Sequence, residues 1–117
     1  MKIYCAGPLF NPAERAEMAA IAKAIEDDGH ETFLPQRDGL ELAKAEGVAP
    51  KLVSQAIFDL DSYHIRDSDI LLFNMNGRVP DDGACVKAGM AYAFRKIIIL
   101  YKSDCRTLIN GQDTPLI

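Results

Sequence analysis

Residues 69–101 begin Asp69-Ile70-Leu71-Leu72-Phe73 and continue through the polar stretch Asn74-Met75-Asn76-Gly77-Arg78-Val79-Pro80-Asp81-Asp82-Gly83. An alanine-rich segment from Ala84 to Lys96 follows, and then Ile97-Ile98-Ile99-Leu100-Tyr101. The two short apolar runs suit buried strands, and the segment between them suits a helix. A strand, a helix and a second apolar strand form a parallel pair with a right-handed crossover.

The same alternation extends toward the N-terminus. Residues 2–6 read as a short buried strand halted by Gly7-Pro8. Asn11-Pro12-Ala13-Glu14 is a helix start, with Asn11 as cap, Pro12 in the first turn and Glu14 three residues after the cap. That helix is expected to run to Asp28, with Ala16, Ala19, Ala20, Ala24 and Ile25 as its apolar face and Gly29 as its stop. Residues 31–34 read as a second strand ended by Pro35. Residues 39–47 read as a weakly patterned helix. From Pro50 a longer helix places Leu52, Val53, Ala56, Ile57 and Leu60 at helical spacing. Residues 102–117 read as loop with one helical turn.

These alternations predict one α/β domain over residues 1–117, doubly wound, with a mostly parallel sheet and helices on both faces. In such folds ligands bind beyond the carboxyl ends of the strands. That rule selects residues 7–10, 35–39 and 74–83.

Composition excludes several classes. The 117 residues are 49% apolar and 26% charged, with a net charge of -4. An acidic balance is wrong for tracking phosphates, so no nucleic acid polymer is expected as a partner. Cys5, Cys85 and Cys105 lie far apart with no C-x-x-C pair, which indicates neither a zinc site nor a disulfide framework. They read as buried free thiols in a reducing compartment. No apolar run approaches the roughly 18 residues of a membrane span, and the N-terminal run is too short for a signal peptide. A cytoplasmic protein without metal, cofactor or membrane partner is expected.

Three segments carry candidate chemistry. In the first, Gly7 lets backbone approach a ligand closely, and Phe10 offers a ring for stacking. This is not a G-x-G-x-x-G fingerprint, and no phosphate loop of the Walker type occurs. In the second, residues 59–69, Asp61 and His64 are three apart and share a helix face, whereas Asp59 points elsewhere. The bland reading makes these solvated carboxylates and a surface histidine, with Asp67 and Asp69 shaping the turn into the next strand. In the third, Asp81 and Asp82 lead into a helix N-terminus, where carboxylates cap and complement the dipole. Lys87 is the discordant member. A cation in the early turns opposes the dipole, and the side chain sits among small apolar residues; a lysine can snorkel its charge to water there, but a glutamate would be favoured.

Several of these residues together resemble the nucleoside 2-deoxyribosyltransferase family. Tyr4-x-Ala6-Gly7-Pro8-x-Phe10 is similar to the family's opening. Asn74-x-Asn76-Gly77 and Asp81-x-Gly83-x-x-x-Lys87-x-Gly89-x-Ala91 are similar to its central signature, and Tyr101-x-x-Asp104-x-Arg106 to the stretch after its next strand. The resemblance implies a flavodoxin-like fold and cleavage or transfer at the N-glycosidic bond of 2′-deoxynucleosides or deoxynucleotides. It implies a retaining route in which a glutamate attacks the anomeric carbon and a nucleobase or water releases the sugar.

Carried over by position, Tyr4 would orient the nucleophile and Asp61 would help protonate the departing base. Asp81 would hold a sugar hydroxyl or the 5′ end. Gly7, Phe10, Gln36 and Gly83 would line the substrate pocket. Lys87 occupies the position of the family's glutamate, and an ammonium cannot form the glycosyl ester. The resemblance further implies a homo-oligomer, since a C-terminal asparagine in the family often completes a neighbour's site. This sequence ends at Ile117, before the family's last strand and helix. A non-catalytic nucleoside- or nucleotide-binding protein of the same fold is the alternative. An unrelated phosphoribohydrolase-type domain ranks last, because Gly83 alone is a poor substitute for a glycine-rich loop.

Overall fold

The computed structural model describes residues 1–40, 47–77, 79–104 and 111–117. Apolar residues at consecutive positions leave both faces of a strand seeking cover. The runs at 2–6 and 70–74 find it, whereas the run at 97–101, expected to be buried, is a sheet edge whose Ile97, Ile99 and Leu100 stay exposed. β1 (Lys2–Ala6), β2 (Glu31–Phe33), β3 (Ile70–Asn74) and β4 (Ile97–Tyr101) form one sheet. Its order is β2-β1-β3-β4, and every pairing is parallel. The register sets Tyr4 beside both Phe33 and Leu71, and Asn74 beside Tyr101.

The connections are helical. α1 (Pro12–Asp27) packs on one face, where Met18 and Ala22 meet Ile3, Cys5, Ile70 and Leu72. α3 (Pro50–Asp67) and α4 (Asp82–Ala93) pack on the other, where Ile65, Ala84 and Ala91 meet Tyr4, Phe33, Leu71 and Phe73. The single turn α2 (Pro35–Asp38) follows β2. The doubly wound expectation holds, and the sheet is wholly rather than mostly parallel. The expected helix over residues 39–47 lies largely outside the described residues.

Two helix faces differ from expectation. On α1 the inward stripe is Met18, Ile21, Ala22 and Ile25, while Ala16, Ala19, Ala20 and Ala24 face solvent. Alanine favours a helix wherever it sits, so it marks the element and not its buried face. The larger side chains remove more apolar area from water, and they set the rotation. On α3 the inward stripe is Val53, Ile57, Leu60, Asp61, His64 and Ile65, and Leu52 is exposed. Asn11 caps α1 as expected, accepting from the Glu14 N–H at 2.9 Å. Asp67 and Asp69 do more than shape a turn. Asp67 pairs with the Lys2 ammonium at 2.7 Å and Asp69 accepts from the Lys2 N–H at 2.9 Å, tying the starts of β1 and β3 together.

The ends of β1 and β3 define the topological switch point, since their crossovers leave on opposite faces. Backbone approaches closely there. A Cβ added to Gly7 would lie 2.8 Å from the Asn74 Cβ and 2.9 Å from the Met18 Sδ. Only glycine fits. Among the described residues no helix is long and apolar enough to cross a membrane.

Candidate active site

Three of the residues singled out by sequence converge between α3, α4 and β1. Tyr4 is wholly buried in β1. Asp61 comes from the inward stripe of α3, and Lys87 from the second turn of α4. The Lys87 Nζ stands 3.3 Å from the Asp61 Oδ2 and 5.3 Å from the centre of the Tyr4 ring. The lysine does not snorkel: its side chain is 22% exposed and that of Asp61 19%. A carboxylate from a different helix offsets the clash between Lys87 and the α4 dipole.

Burial, and then the charge of Asp61, push the Tyr4 phenol far above its ordinary range. Its hydroxyl reaches toward the Asp61 carboxylate, which adds to the upward push, although the contact falls short of ordinary hydrogen-bond geometry. Behind Tyr4 the rings stack. Tyr4 and Phe33 lie 5.1 Å apart and Phe33 and His64 4.0 Å apart, so His64 is part of a packed row rather than a surface group.

The remaining residues lie apart from this triad. Asp81 caps α4 through a 2.8 Å bond from the Ala84 N–H. Six residues at 1.5 Å each put it about 9 Å along the helix axis from Lys87. Asp81, Asp82, Phe10, Pro8 and Gly77 line a cavity of about 310 Å³. An adjoining cavity of about 470 Å³ shares Pro8, Glu14, Asn76 and Gly77 with it and adds Glu17, Ser103 and Asp104. The two form one polar crevice beyond β1 and β3, with Phe10, 78% exposed, at its lip. Gly83 follows in the first turn of α4, where its N–H donates to the Asp82 carboxylate at 2.6 Å. Gln36 lies outside this lining: its amide donates to the Arg15 carbonyl at 2.9 Å, and its oxygen is buried without a partner.

A larger apolar cavity of about 670 Å³ lies between α4, β4 and residues 114–117. Neither Lys87 nor Asp61 lines it. Convergent polar groups, not volume, identify the reactive region.

Sequence reasoning missed Glu17. Its carboxylate accepts from the Asn74 amide at 2.6 Å and the Asn76 amide at 3.0 Å. Asn76 in turn accepts from the Ser103 N–H at 2.8 Å, and Asp104 accepts from the Gly77 N–H at 2.9 Å. Gly77 has a φ of 125°, a left-handed conformation that favours glycine. The loops after β3 and β4 are thereby fixed to each other and to α1. The only sequence hint was a glutamate one turn beyond Glu14, on the same side of α1 as Met18 and Ile21.

Cys5 and Cys85 are free. Burial raises the Cys5 thiol to about 11 and raises Cys85 as well, so neither is a ready thiolate. Cys105 and Arg106 lie outside the described residues.

An all-parallel doubly wound sheet with a crevice at its switch point defines a flavodoxin-like α/β protein whose candidate ligand site lies beyond the strand ends. Residues 3–116 match the family model described as nucleoside 2-deoxyribosyltransferase. The chain belongs to that family.

Among solved structures it is similar to a conserved protein from Enterococcus faecalis V583, with 27% identity and a TM-score of 0.73 over 86% of this chain. The chain spans 62% of that protein's length. It is also similar to a 2-deoxyribosyltransferase from Bacillus psychrosaccharolyticus, with 24% identity and a TM-score of 0.74 over 92% of this chain and 77% of the other. A CMP N-glycosidase from Clostridium botulinum has 18% identity and a TM-score of 0.61 over 92% and 74%. These likenesses bear out the flavodoxin-like fold. Comparison with curated proteins returned no match.

Proposed function

We propose that the protein binds a 2′-deoxynucleoside or deoxynucleotide between the crevice beyond β1 and β3 and the Tyr4, Asp61 and Lys87 side chains, and that Lys87 withholds the family's covalent step. The observation carrying this reading is the Lys87–Asp61 ion pair at 3.3 Å. An ammonium has no lone pair with which to attack an anomeric carbon. It also opposes the positive charge that develops there. At ~4 Å and an effective dielectric constant of 20, one unit charge acting on another is worth about 4 kcal/mol. The paired Asp61 carboxylate offsets part of that, so the opposition corresponds to a factor of at most about 10³ in rate. Asp61, which the family pattern assigns to the departing base, is meanwhile engaged by the lysine. Phe10 would stack on the base and Asp81 would meet the sugar.

Calorimetry with 2′-deoxynucleosides and their monophosphates, alongside chromatography of released base, tests the proposal. Saturable binding with no base release is expected for the unmodified chain. Lys87→Glu restores a carboxylate where the chemistry needs one, and it should raise release at least 10²-fold. Base release by the unmodified chain at a rate matching Lys87→Glu would show that the lysine does not withhold the step. Absence of binding would remove the nucleoside reading.

A further inference from the structure

We infer that the outer edge of β4, with the apolar groove beside it, is an interface between two copies of this chain, whose β4 strands pair antiparallel across a twofold axis. The inference is independent of the nucleoside reading, because the groove and the crevice share no lining residue. Nor does it use the C-terminal asparagine through which the family resemblance implies an oligomer.

β4 ends the sheet order β2-β1-β3-β4, so alternate backbone N–H and C=O groups along it point away from β3. Natural edges are guarded against a second strand by shortness, charge or proline. The opposite edge is guarded: β2 has three residues, begins on Glu31 and has the Arg37 guanidinium bonded to the Thr32 carbonyl at 3.2 Å. β4 has no such guard. Ile97-Ile98-Ile99-Leu100-Tyr101 carries neither charge nor proline.

The register sets Ile97 beside Ile70 and Ile99 beside Leu72, on the α1 face of the sheet, and Leu100 beside Phe73 on the other. All three are exposed, so both faces of the edge are apolar and uncovered. That suits a strand continuing the sheet better than a ligand lying on one face. On the α4 side the apolar surface runs on into the cavity of about 670 Å³, whose lining includes no charged side chain. Tyr92 and Leu116 line it and are 80% and 93% exposed.

Each of these five large side chains can withdraw on the order of 100 Å² from water. With the strand's main chain and the groove lining added, the surface approaches the roughly 800 Å² per partner of a standard interface. A second copy is the occupant that fits, since a patch apolar on both faces of one edge complements itself about a twofold axis. Antiparallel pairing then sets isoleucine close to isoleucine across the strands. Lys102, which follows β4, is paired with Asp113 at 2.7 Å, so it does not meet the other copy's Lys96 as a bare like charge.

Sedimentation equilibrium of the full chain over a concentration series tests this. Mass should rise from 12.9 kDa to twice that value and stop there. Ile97→Lys places a charge on the edge, and Tyr92→Glu places one at the groove. Both side chains are exposed, so urea midpoints should hardly change. Each substitution should weaken association by about 10²-fold, because pairing would strand a charge against apolar surface. Hydrogen exchange gives a second readout: the β4 amides that point away from β3 should gain protection as the dimer forms.

A mass of one chain at every concentration, growth beyond two chains, or a dimer untouched by both substitutions would overturn the inference. So would protection of those outward amides in a chain that stays monomeric, which would mean that a peptide or a further strand covers the edge instead.

Discussion

Replacing Gly7 by alanine tests whether the switch point is as tightly built as its geometry indicates. The new methyl would sit 2.8 Å from the Asn74 Cβ and 2.9 Å from the Met18 Sδ. Carbon atoms are comfortable at about 3.5 Å or more, so the overlap with Asn74 is roughly 0.7 Å. Met18 is a flexible thioether and can yield. Asn74 cannot easily do so. Its backbone pairs with Tyr101 in β4, and its amide is held by Glu17 at 2.6 Å.

Overpacking of this kind costs about 1–3 kcal/mol, and with one neighbour mobile and one fixed, about 2 kcal/mol is expected. For a domain of this length that lowers the melting midpoint by roughly 10 °C. Gly89→Ala is the matched comparison. A Cβ there meets no heavy atom within 4 Å, so relief from glycine's backbone entropy should stabilise α4 by about 0.5–1 kcal/mol. Urea titrations and calorimetric melting of both variants give the sign and size. The reasoning fails if Gly7→Ala is as stable as the unmodified chain, or if the two substitutions shift stability in the same direction.

Two further predictions concern stability alone. Asp81→Ala removes the cap on α4 and should lower stability by about 1 kcal/mol, whereas Asp81→Asn should keep most of it, as urea midpoints would register. Arg37 bonds to Glu26 at 2.8 Å and grips Asp38 through two nitrogens at 2.8 and 2.9 Å. Thr32, then Arg37, lower Glu26. Burial works against Asp38, but the bonds from Arg37 and the Leu34 N–H outweigh it, so it too is lowered. Carboxylates held below their unfolded values contribute stability above about pH 4 and lose it as pH falls further. Arg37→Met should therefore be less stable at neutral pH, and the gap should close below about pH 4 in a series of urea midpoints. A constant gap across the series would refute this account.

The strand runs and crossovers were legible because apolar residues in short uninterrupted blocks leave a parallel sheet few alternatives. The rotation of the helices was less legible. Ala16 and Ala20 fit an apolar pattern as well as Met18 and Ala22 do, and only the packed sheet decides between them. Within the site, Tyr4, Asp61 and Lys87 were all singled out from the sequence. Their mutual arrangement was not, because the lysine and its carboxylate sit on separate helices and no local spacing links them. Glu17 shows the same limit. Its partners Asn74 and Asn76 lie more than fifty positions away, and only the crossover of β1 and β3 brings them together.

The lacing of the loops beyond β3 and β4 has a consequence for how a ligand is received. Asn76 holds the Ser103 N–H, Asp104 holds the Gly77 N–H, and Glu17 holds both asparagine amides before anything enters the crevice. A side chain already immobilised spares the complex roughly 0.5–1.5 kcal/mol of ordering on association. For these side chains the ordering cost is met during folding, so under the proposed function this wall of the crevice would act as a rigid mould. Its amides should exchange with solvent slowly for loop positions, and ligation should change their protection little.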